Sequence, residues 1–404
     1  MLKDKPSSTK SSFGQTLWNF CNVLIGVGSL SLPFAFKYSG WIIGLSLLFF
    51  CMVATNYSAR ILIKCLNYKE GLYTYPDIAM VAYGKFVKFV VLALFTFELI
   101  GVAIAFVTLI GDSLYVLFPN TSLVLLKIIS WAVLAPLTLI DIKYISYVSF
   151  LGLVSTVLLT IVIIIDGVTT HEQPGSLLNP VETELFPINL RSLPLCFGFM
   201  IAGFAGHSVF PSIYLKMREP DKFTKIVNVS YTFSIIIYIL TAVCGYLMFG
   251  NLAEPEITQN IMSMSNHLQI LNQSIVWLVA ISLFGKFPLV LDPVNLYIET
   301  HYLSKVNKWI CPHYDCPLFI RFLSRMLISI IVVLISIKFP NFDRIMELIG
   351  SFSLYAVSLI FPCLFYLKLY SNNLRWWEWL INLLIILVCA ILAILGTIWA
   401  FLQN

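Results

Sequence analysis

Long apolar runs separated by short polar connections organise this chain from one end to the other. A bilayer crossing needs roughly 20 apolar residues. Runs of that kind predict eleven helices, near residues 15–36, 41–65, 86–118, 123–141, 145–166, 192–216, 226–250, 269–300, 319–338, 344–369 and 375–402. The third and eighth exceed a minimal crossing, so they are expected to tilt or to project beyond the bilayer. The expected fold class is an all-α polytopic membrane protein.

The connections alternate in charge. Lys3, Lys5 and Lys10 precede the first run, and Arg60, Lys64, Lys69, Lys85 and Lys88 surround the second connection. Lys143 sits in the fourth, and Lys216, Arg218, Lys222 and Lys225 in the sixth. Lys305, Lys308 and Arg321 surround the eighth; Lys368 and Arg375 flank the tenth. The connections 119–122, 167–190 and 251–268 contain no Lys or Arg, and the longer two carry Glu172, Glu182, Glu184, Glu254 and Glu256. Lys37, Lys338 and Arg344 are single exceptions. The positive-inside rule then puts the N-terminus in the cytosol, and an odd number of crossings leaves the C-terminus outside or in a lumen.

Two runs carry the same interruption. Gly26-Val27-Gly28-Ser29-Leu30-Ser31-Leu32-Pro33 lies in the first, and Gly203-Phe204-Ala205-Gly206-His207-Ser208-Val209-Phe210-Pro211 in the sixth. Aligning Gly28 with Gly206 puts Pro33 on Pro211 and Lys37 within a residue of Lys216. Glycine lowers the cost of leaving helical geometry, and proline removes a donor. Non-helical backbone at membrane depth survives only where protein buries it or where it lines a cavity. Matched breaks in corresponding spans point to a transporter's substrate site. The two runs enter from opposite sides, which is the signature of an inverted repeat of five plus five helices with an eleventh appended. The expected divisions are 1–14 as a cytosolic segment, 15–166 as the first repeat, 167–190 as an extracytosolic loop, 191–369 as the second repeat, and 370–404 as the last span and C-terminus.

Composition narrows the class. The chain is 59% hydrophobic and 11% charged, with a mean hydropathy of +0.90, against about a quarter charged in soluble domains. The net charge of +5 is unevenly placed and reports orientation, not a nucleic-acid partner. No cleavable signal peptide is expected, because the first run is long and lacks a small-residue cleavage site. Most of the nine cysteines lie inside apolar runs and act as small hydrophobes. Cys311-Pro-His-Tyr-Asp-Cys316 is the one cluster, and its spacing matches no standard zinc pattern. With no His-rich cluster, nucleophile elbow or phosphate loop, nothing points to an enzyme or a bound cofactor. Trp376, Trp377 and Trp379 fit an interfacial belt.

Backbone N–H groups freed around Gly26, Gly28 and Ser29 suit a carboxylate, and carbonyls freed around Phe204, Ala205 and Gly206 suit an ammonium. Together they fit a zwitterion such as an amino acid; the alternative is that the glycines only permit close helix packing. The apolar or small Ile25, Val27 and Ala205 favour a neutral side chain. Lys286 falls well inside the eighth run, where an ammonium is costly unless paired or functional; the alternative is a lysine snorkelling to the interface. Glu98, in the third run, either carries a proton or pairs with a lysine or hydroxyl. His207 is either a proton sensor or an imidazole bonded to a backbone carbonyl. Asp112 and Asp292 lie nearer span ends and suit solvated or capping roles. Asp77 is expected to cap a short interfacial helix. Asn120-Thr-Ser122 is a glycosylation sequon in a turn too tight for ready modification.

Asn22-Val-Leu-Ile-Gly-Val-Gly-Ser-Leu-Ser-Leu-Pro33 with Tyr38-Ser-Gly-Trp41 resembles the first span of the amino acid/auxin permease family. Gly203-Phe-Ala-Gly-His-Ser-Val-Phe-Pro-Ser-Ile-Tyr214 with Met217-Arg-Glu-Pro220 resembles its sixth, and Ile110-Gly-Asp-Ser-Leu114 the end of its third. The likeness is strongest to the vacuolar amino acid transporter branch. It implies a LeuT-like fold and secondary transport of amino acids, commonly driven by protons, in a vacuolar or lysosomal-type membrane or the plasma membrane, by a protein that is by default a monomer. It also implies that Lys286 stands where the sodium-coupled branch has Thr, close to Asn22, so that an ammonium replaces a bound sodium ion between the first and eighth spans. Three rivals stand beside a proton-coupled carrier. One is a sodium-coupled carrier. Another is a non-transporting amino acid sensor, disfavoured by the short N-terminus. The third is a channel, disfavoured by the lack of charged rings.

Overall fold

The computed structural model describes residues 10–402 apart from 26, 188, 264–268, 304–316, 340–344 and 346–348. The Cys311–Cys316 cluster, Gly26, Lys3, Lys5, Lys305, Lys308 and Arg344 therefore lie outside the described residues. Among those described, seven helices are long and apolar enough to cross a membrane. They are α2 (Leu32–Leu66), α4 (Lys85–Leu117), α6 (Ile142–Thr169), α9 (Phe223–Phe249), α11 (Gln269–Ile298), α12 (Pro317–Lys338) and α14 (Trp376–Leu402). The shorter helices are α1 (Phe13–Leu24), α3 (Tyr75–Tyr83), α5 (Leu123–Leu137), α7 (Leu193–Phe204), α8 (Phe210–Leu215), α10 (Ile257–Ser263) and α13 (Phe361–Leu369). The protein is a multi-pass, all-helical membrane protein.

Local chemistry sets the boundaries. Ser12 caps α1: the Ser12 N–H donates to Gln15 Oε1 (2.9 Å), and the Gln15 N–H donates to Ser12 Oγ. Both orphan donors are thereby satisfied. Asp77 accepts from the Thr74 N–H (3.0 Å) and hydroxyl (2.7 Å) at the start of α3, and Lys88 and His301 also reach it. Helix α2 joins the end of the first predicted run to the second across a kink, where Gly40 leaves helical geometry at φ 67°. A Cβ on Gly40 would stand 2.7 Å from the Phe186 carbonyl carbon. The chain bends there because glycine alone accepts both the angle and the neighbour.

The run expected at 344–369 departs from a plain helix. It is π-helical over Ile349–Ser353 and again over Ala356–Ile360 before α13 begins. Wide turns of this kind shift the register of side chains and concentrate at functional sites, and hydropathy averaged over a window does not see them.

Helices α1, α7 and α8 hold the middle of the bundle. Helix α1 packs on α6, α9 and α11, α7 on α2 and α14, and α11 along α6 and α4. Two ties close opposite ends. At one, the 167–190 segment lies over the Gly40 bend and the end of α9. Trp41 N–H donates to the Glu184 carbonyl (3.1 Å), Trp41 Nε1 to Thr183 Oγ1 (3.0 Å), and Val181 N–H to the Leu247 carbonyl (3.0 Å). At the other, Ser11 pairs with the stretch after α8: Ser11 N–H donates to the Lys216 carbonyl (2.8 Å), and Arg218 N–H to the Ser11 carbonyl (2.9 Å).

Candidate functional site

The first break runs from the end of α1 at Leu24, through a single 3-10 turn over Val27–Ser29, to α2 with Pro33 in its first turn. The second leaves α7 at Phe204, is extended at Ala205, and re-enters helix at Phe210 with Pro211. The two touch backbone to backbone: a Cβ on Gly28 would stand 2.4 Å from the Gly203 nitrogen. Tyr238, from α9, joins the same pair of elements. Its single hydroxyl proton lies between the Leu24 carbonyl (2.5 Å) and the Gly203 carbonyl, which sit in the last turns of the two half-helices. Helix ends carry unsatisfied carbonyls, and one phenolic proton is shared between two of them.

Between the breaks lies a cavity of about 60 Å³ bordered by Gly28, Ala205, Gly206, Glu98, Lys286 and Ile349. Five of the residues singled out in the sequence thus border one space. Ile349 brings in the first π-helical stretch, whose wide turn faces the breaks. Glu98 is buried (2% exposed), and its Oε1 accepts from the Ser208 hydroxyl at 2.9 Å. Its Oε2 has no hydrogen-bond partner among the described residues. Lys286 is equally buried, at 3%. Although both border the cavity, no ion pair joins Lys286 to Glu98, nor to any other carboxylate among the described residues. Pro288, two residues on in α11, has no N–H to give the Phe284 carbonyl, so the helical bond from that position is missing beside Lys286.

The other predicted residues sit around this cavity rather than on it. Asn22 is buried against α6 and α11. Its side-chain oxygen would be 2.8 Å from a Cβ on Gly152, and its nitrogen 2.9 Å from one on Gly285. Neither amide atom of Asn22, nor the Ser149 hydroxyl beside Gly285, has a hydrogen-bond partner among the described residues. Each such group costs about 1–3 kcal/mol when left dry. His207 turns toward α2: its Nε2 lies 3.1 Å from the Thr55 carbonyl and 2.8 Å from the Ser58 hydroxyl. A carbonyl only accepts, so the neutral ring carries its proton on Nε2. Phe204 stacks on Tyr231 (5.9 Å) and meets Tyr238 edge-on (4.9 Å). Ile25 and Ser29 are buried within the first break.

Asp292 has a different place from the one expected of a solvated or capping residue. Its carboxylate pairs with Lys216 at 3.0 Å, tying α11 to the end of α8. Lys37, the counterpart of Lys216, donates to the Ala253 carbonyl (3.2 Å) at the end of the first break's second half-helix. Two participants, Ser208 and Tyr238, and one buried charge elsewhere in the bundle, Lys127, escaped sequence reasoning. Ser208 stood in plain view inside the motif. Tyr238 gave no signal, being an aromatic residue in an apolar run. Lys127, within the fourth run, is a buried lysine whose Nζ donates to the Ser336 carbonyl at 2.8 Å; its charge was the available clue.

The model of the family described as transmembrane amino acid transporter protein matches residues 9–403. The chain belongs to this family. Among curated relatives, the Arabidopsis thaliana amino acid transporter AVT1D is 32% identical over 91% of this chain and 66% of its own length. Amino acid transporters AVT1E and AVT1B of the same plant are 31% and 30% identical, over 97% and 98% of this chain and 73% and 74% of their own lengths. The chain thus spans 66–74% of the length of these relatives.

Proposed function

We propose that this protein is a secondary active transporter of neutral amino acids, coupled to protons and independent of sodium. The observation that carries this reading is the meeting of two helix breaks, a carboxylic acid and a lysine around one small cavity. In this reading the spans number eleven, arranged as a LeuT-like five-plus-five inverted repeat with the N-terminus in the cytosol. The opposed positions of Lys37 and Lys216, each ending the second half of a broken helix, support that symmetry.

The substrate carboxylate binds at the N–H groups of the first break. Its ammonium binds at the Phe204 and Ala205 carbonyls. Tyr238 already occupies the Gly203 carbonyl, and the Val209 and Phe210 N–H groups occupy that of Gly206, so the choice of acceptor is narrow. The apolar rim, with Val23 and Ala202, excludes charged side chains, which would have to shed water unpaired. Glu98 exchanges the coupling proton, with Ser208 orienting its carboxyl. Lys286 supplies a fixed positive charge beside Asn22, where a sodium-coupled carrier would hold its ion. Alternating access opens and shuts the ties at the two ends. The resemblance to the vacuolar branch favours an acidic organelle.

A second reading, sodium coupling, draws on the unpaired Asn22 amide and Ser149 hydroxyl, which would accept a water or a cation. One experiment separates the two: uptake of labelled neutral amino acids into proteoliposomes of purified protein, under separately imposed proton and sodium gradients. The expected result is accumulation under the proton gradient alone in the wild type and its loss in Lys286→Ala. Accumulation that requires sodium overturns the coupling. Binding without accumulation under either gradient returns the sensor.

A further inference from the structure

We infer a binding site for one anionic phospholipid in the groove between α2, α9 and the last helix, α14. The groove encloses about 630 Å³, within the range of clefts that take a small-molecule ligand (about 300–1,000 Å³). It is far larger than the cavity between the breaks and opens on the side of the bundle. Phe50, Val53 and Leu384 line its apolar end, and Arg60, Asn56 and Asn228 its polar end. Ten residues of helix at 1.5 Å rise separate Phe50 from Arg60, roughly 15 Å. That is half of the roughly 30 Å hydrocarbon thickness, so the groove has the depth of a single leaflet.

The polar end suits a phosphodiester. Arg60 is exposed; its Nε donates to the Asn56 carbonyl, and among the described residues no carboxylate lies within ion-pair distance of it. The Asn56 and Asn228 side-chain amides meet at 3.3 Å, joining α2 to α9. Tyr57 accepts from Asn382 at 2.7 Å, which fixes its hydroxyl and leaves the phenolic proton to donate. A guanidinium without a carboxylate partner, with neutral donors around it, offers phosphate oxygens charge-assisted hydrogen bonds. Arg60 also lies toward the basic end of α2, beside Lys64 and Lys69, and so in the leaflet that carries anionic lipid where basic loops face the cytosol. The acyl chains then lie along Phe50, Val53, Ile381 and Leu384. Tyr231 lines the groove too and stacks on Phe204, so the occupant bears on the residue where α7 ends.

The test is native mass spectrometry of the full chain in neutral detergent, with equimolar phosphatidylserine and phosphatidylcholine of identical acyl chains. The wild type is expected to carry phosphatidylserine over phosphatidylcholine by about fivefold, the value of one arginine near an anionic leaflet. Arg60→Gln should bring the ratio close to one. Leu384→Trp, on a half-exposed position, should fill the groove and lower both adducts while leaving Arg60 in place. Equal binding of the two lipids by the wild type overturns the proposal, as does a preference that survives both substitutions. Displacement by glycerophosphoserine at equal concentration would assign the polar end to a water-soluble phosphate and also overturn it.

Discussion

At the scale of single residues, the central cavity is set by a carboxyl that accepts from the Ser208 hydroxyl and by a buried lysine with no carboxylate within ion-pair distance among the described residues. Glu98 and Lys286 were legible because a charge inside an apolar run is costly, and both border the central cavity. What they face was not legible. Nothing in the order of residues says that Glu98 meets Ser208, 110 residues away, or that His207 turns aside to α2. Tyr238 is the strongest omission: an aromatic residue in an apolar helix gives no hint that its hydroxyl spans two broken helices. The arrangement at Glu98 yields a specific expectation. In Glu98→Gln the side-chain carbonyl still accepts from Ser208, so geometry is kept while the titratable proton is lost. Proton-driven accumulation should fall to the level seen without a gradient, while exchange of labelled for unlabelled substrate across the membrane persists. Loss of both together would make Glu98 a structural group and remove it from coupling.

At the scale of elements, the runs and their ends were largely legible, since Ser12, Asp77, Gly40 and the paired prolines act locally. The exception is the run before α13, whose π turns over Ile349–Ser353 and Ala356–Ile360 leave no trace in averaged hydropathy. The breaks themselves were legible as a pattern, and their contact supplies a test. A methyl group on Gly28 meets the Gly203 nitrogen at 2.4 Å, and backbone cannot move aside as a flexible side chain would. Gly28→Ala should therefore cost about 1–3 kcal/mol through overpacking, separate the two breaks, and abolish uptake in protein that still reaches the membrane. Gly14→Ala serves as the control, because its nearest neighbour is 4.0 Å away at Trp18. Equal uptake by both variants would show that the breaks need not touch.

At the scale of the whole molecule, ties close both ends of the bundle on either side of the small central cavity. The 167–190 segment holds one end through backbone hydrogen bonds to α2 and α9. The other end is held by the Ser11 pairing and by the Lys216–Asp292 ion pair, which joins the end of α8, beyond the second break, to α11. These two ties differ in kind. A network of backbone bonds is released only by displacing a segment, whereas an ion pair of a half-shielded lysine and a nearly buried carboxylate yields to a single substitution. Removing the lysine leaves Asp292, at 7% exposure, without its partner, and a buried charge without a partner drives opening toward water. Lys216→Ala should accordingly favour the state open at the Ser11 end. A cysteine placed at Val290, which borders the cavity, should then react several-fold faster with a membrane-impermeant thiol reagent applied from that side, compared in a background lacking the other reactive cysteines. Exchanging the charges, Lys216→Asp with Asp292→Lys, should restore the slow rate, because the pair depends on opposite sign and not on which helix carries which. If the exchanged pair reacts as fast as Lys216→Ala, the tie resides in the Ser11 pairing, and closing this end is then a matter of backbone docking alone.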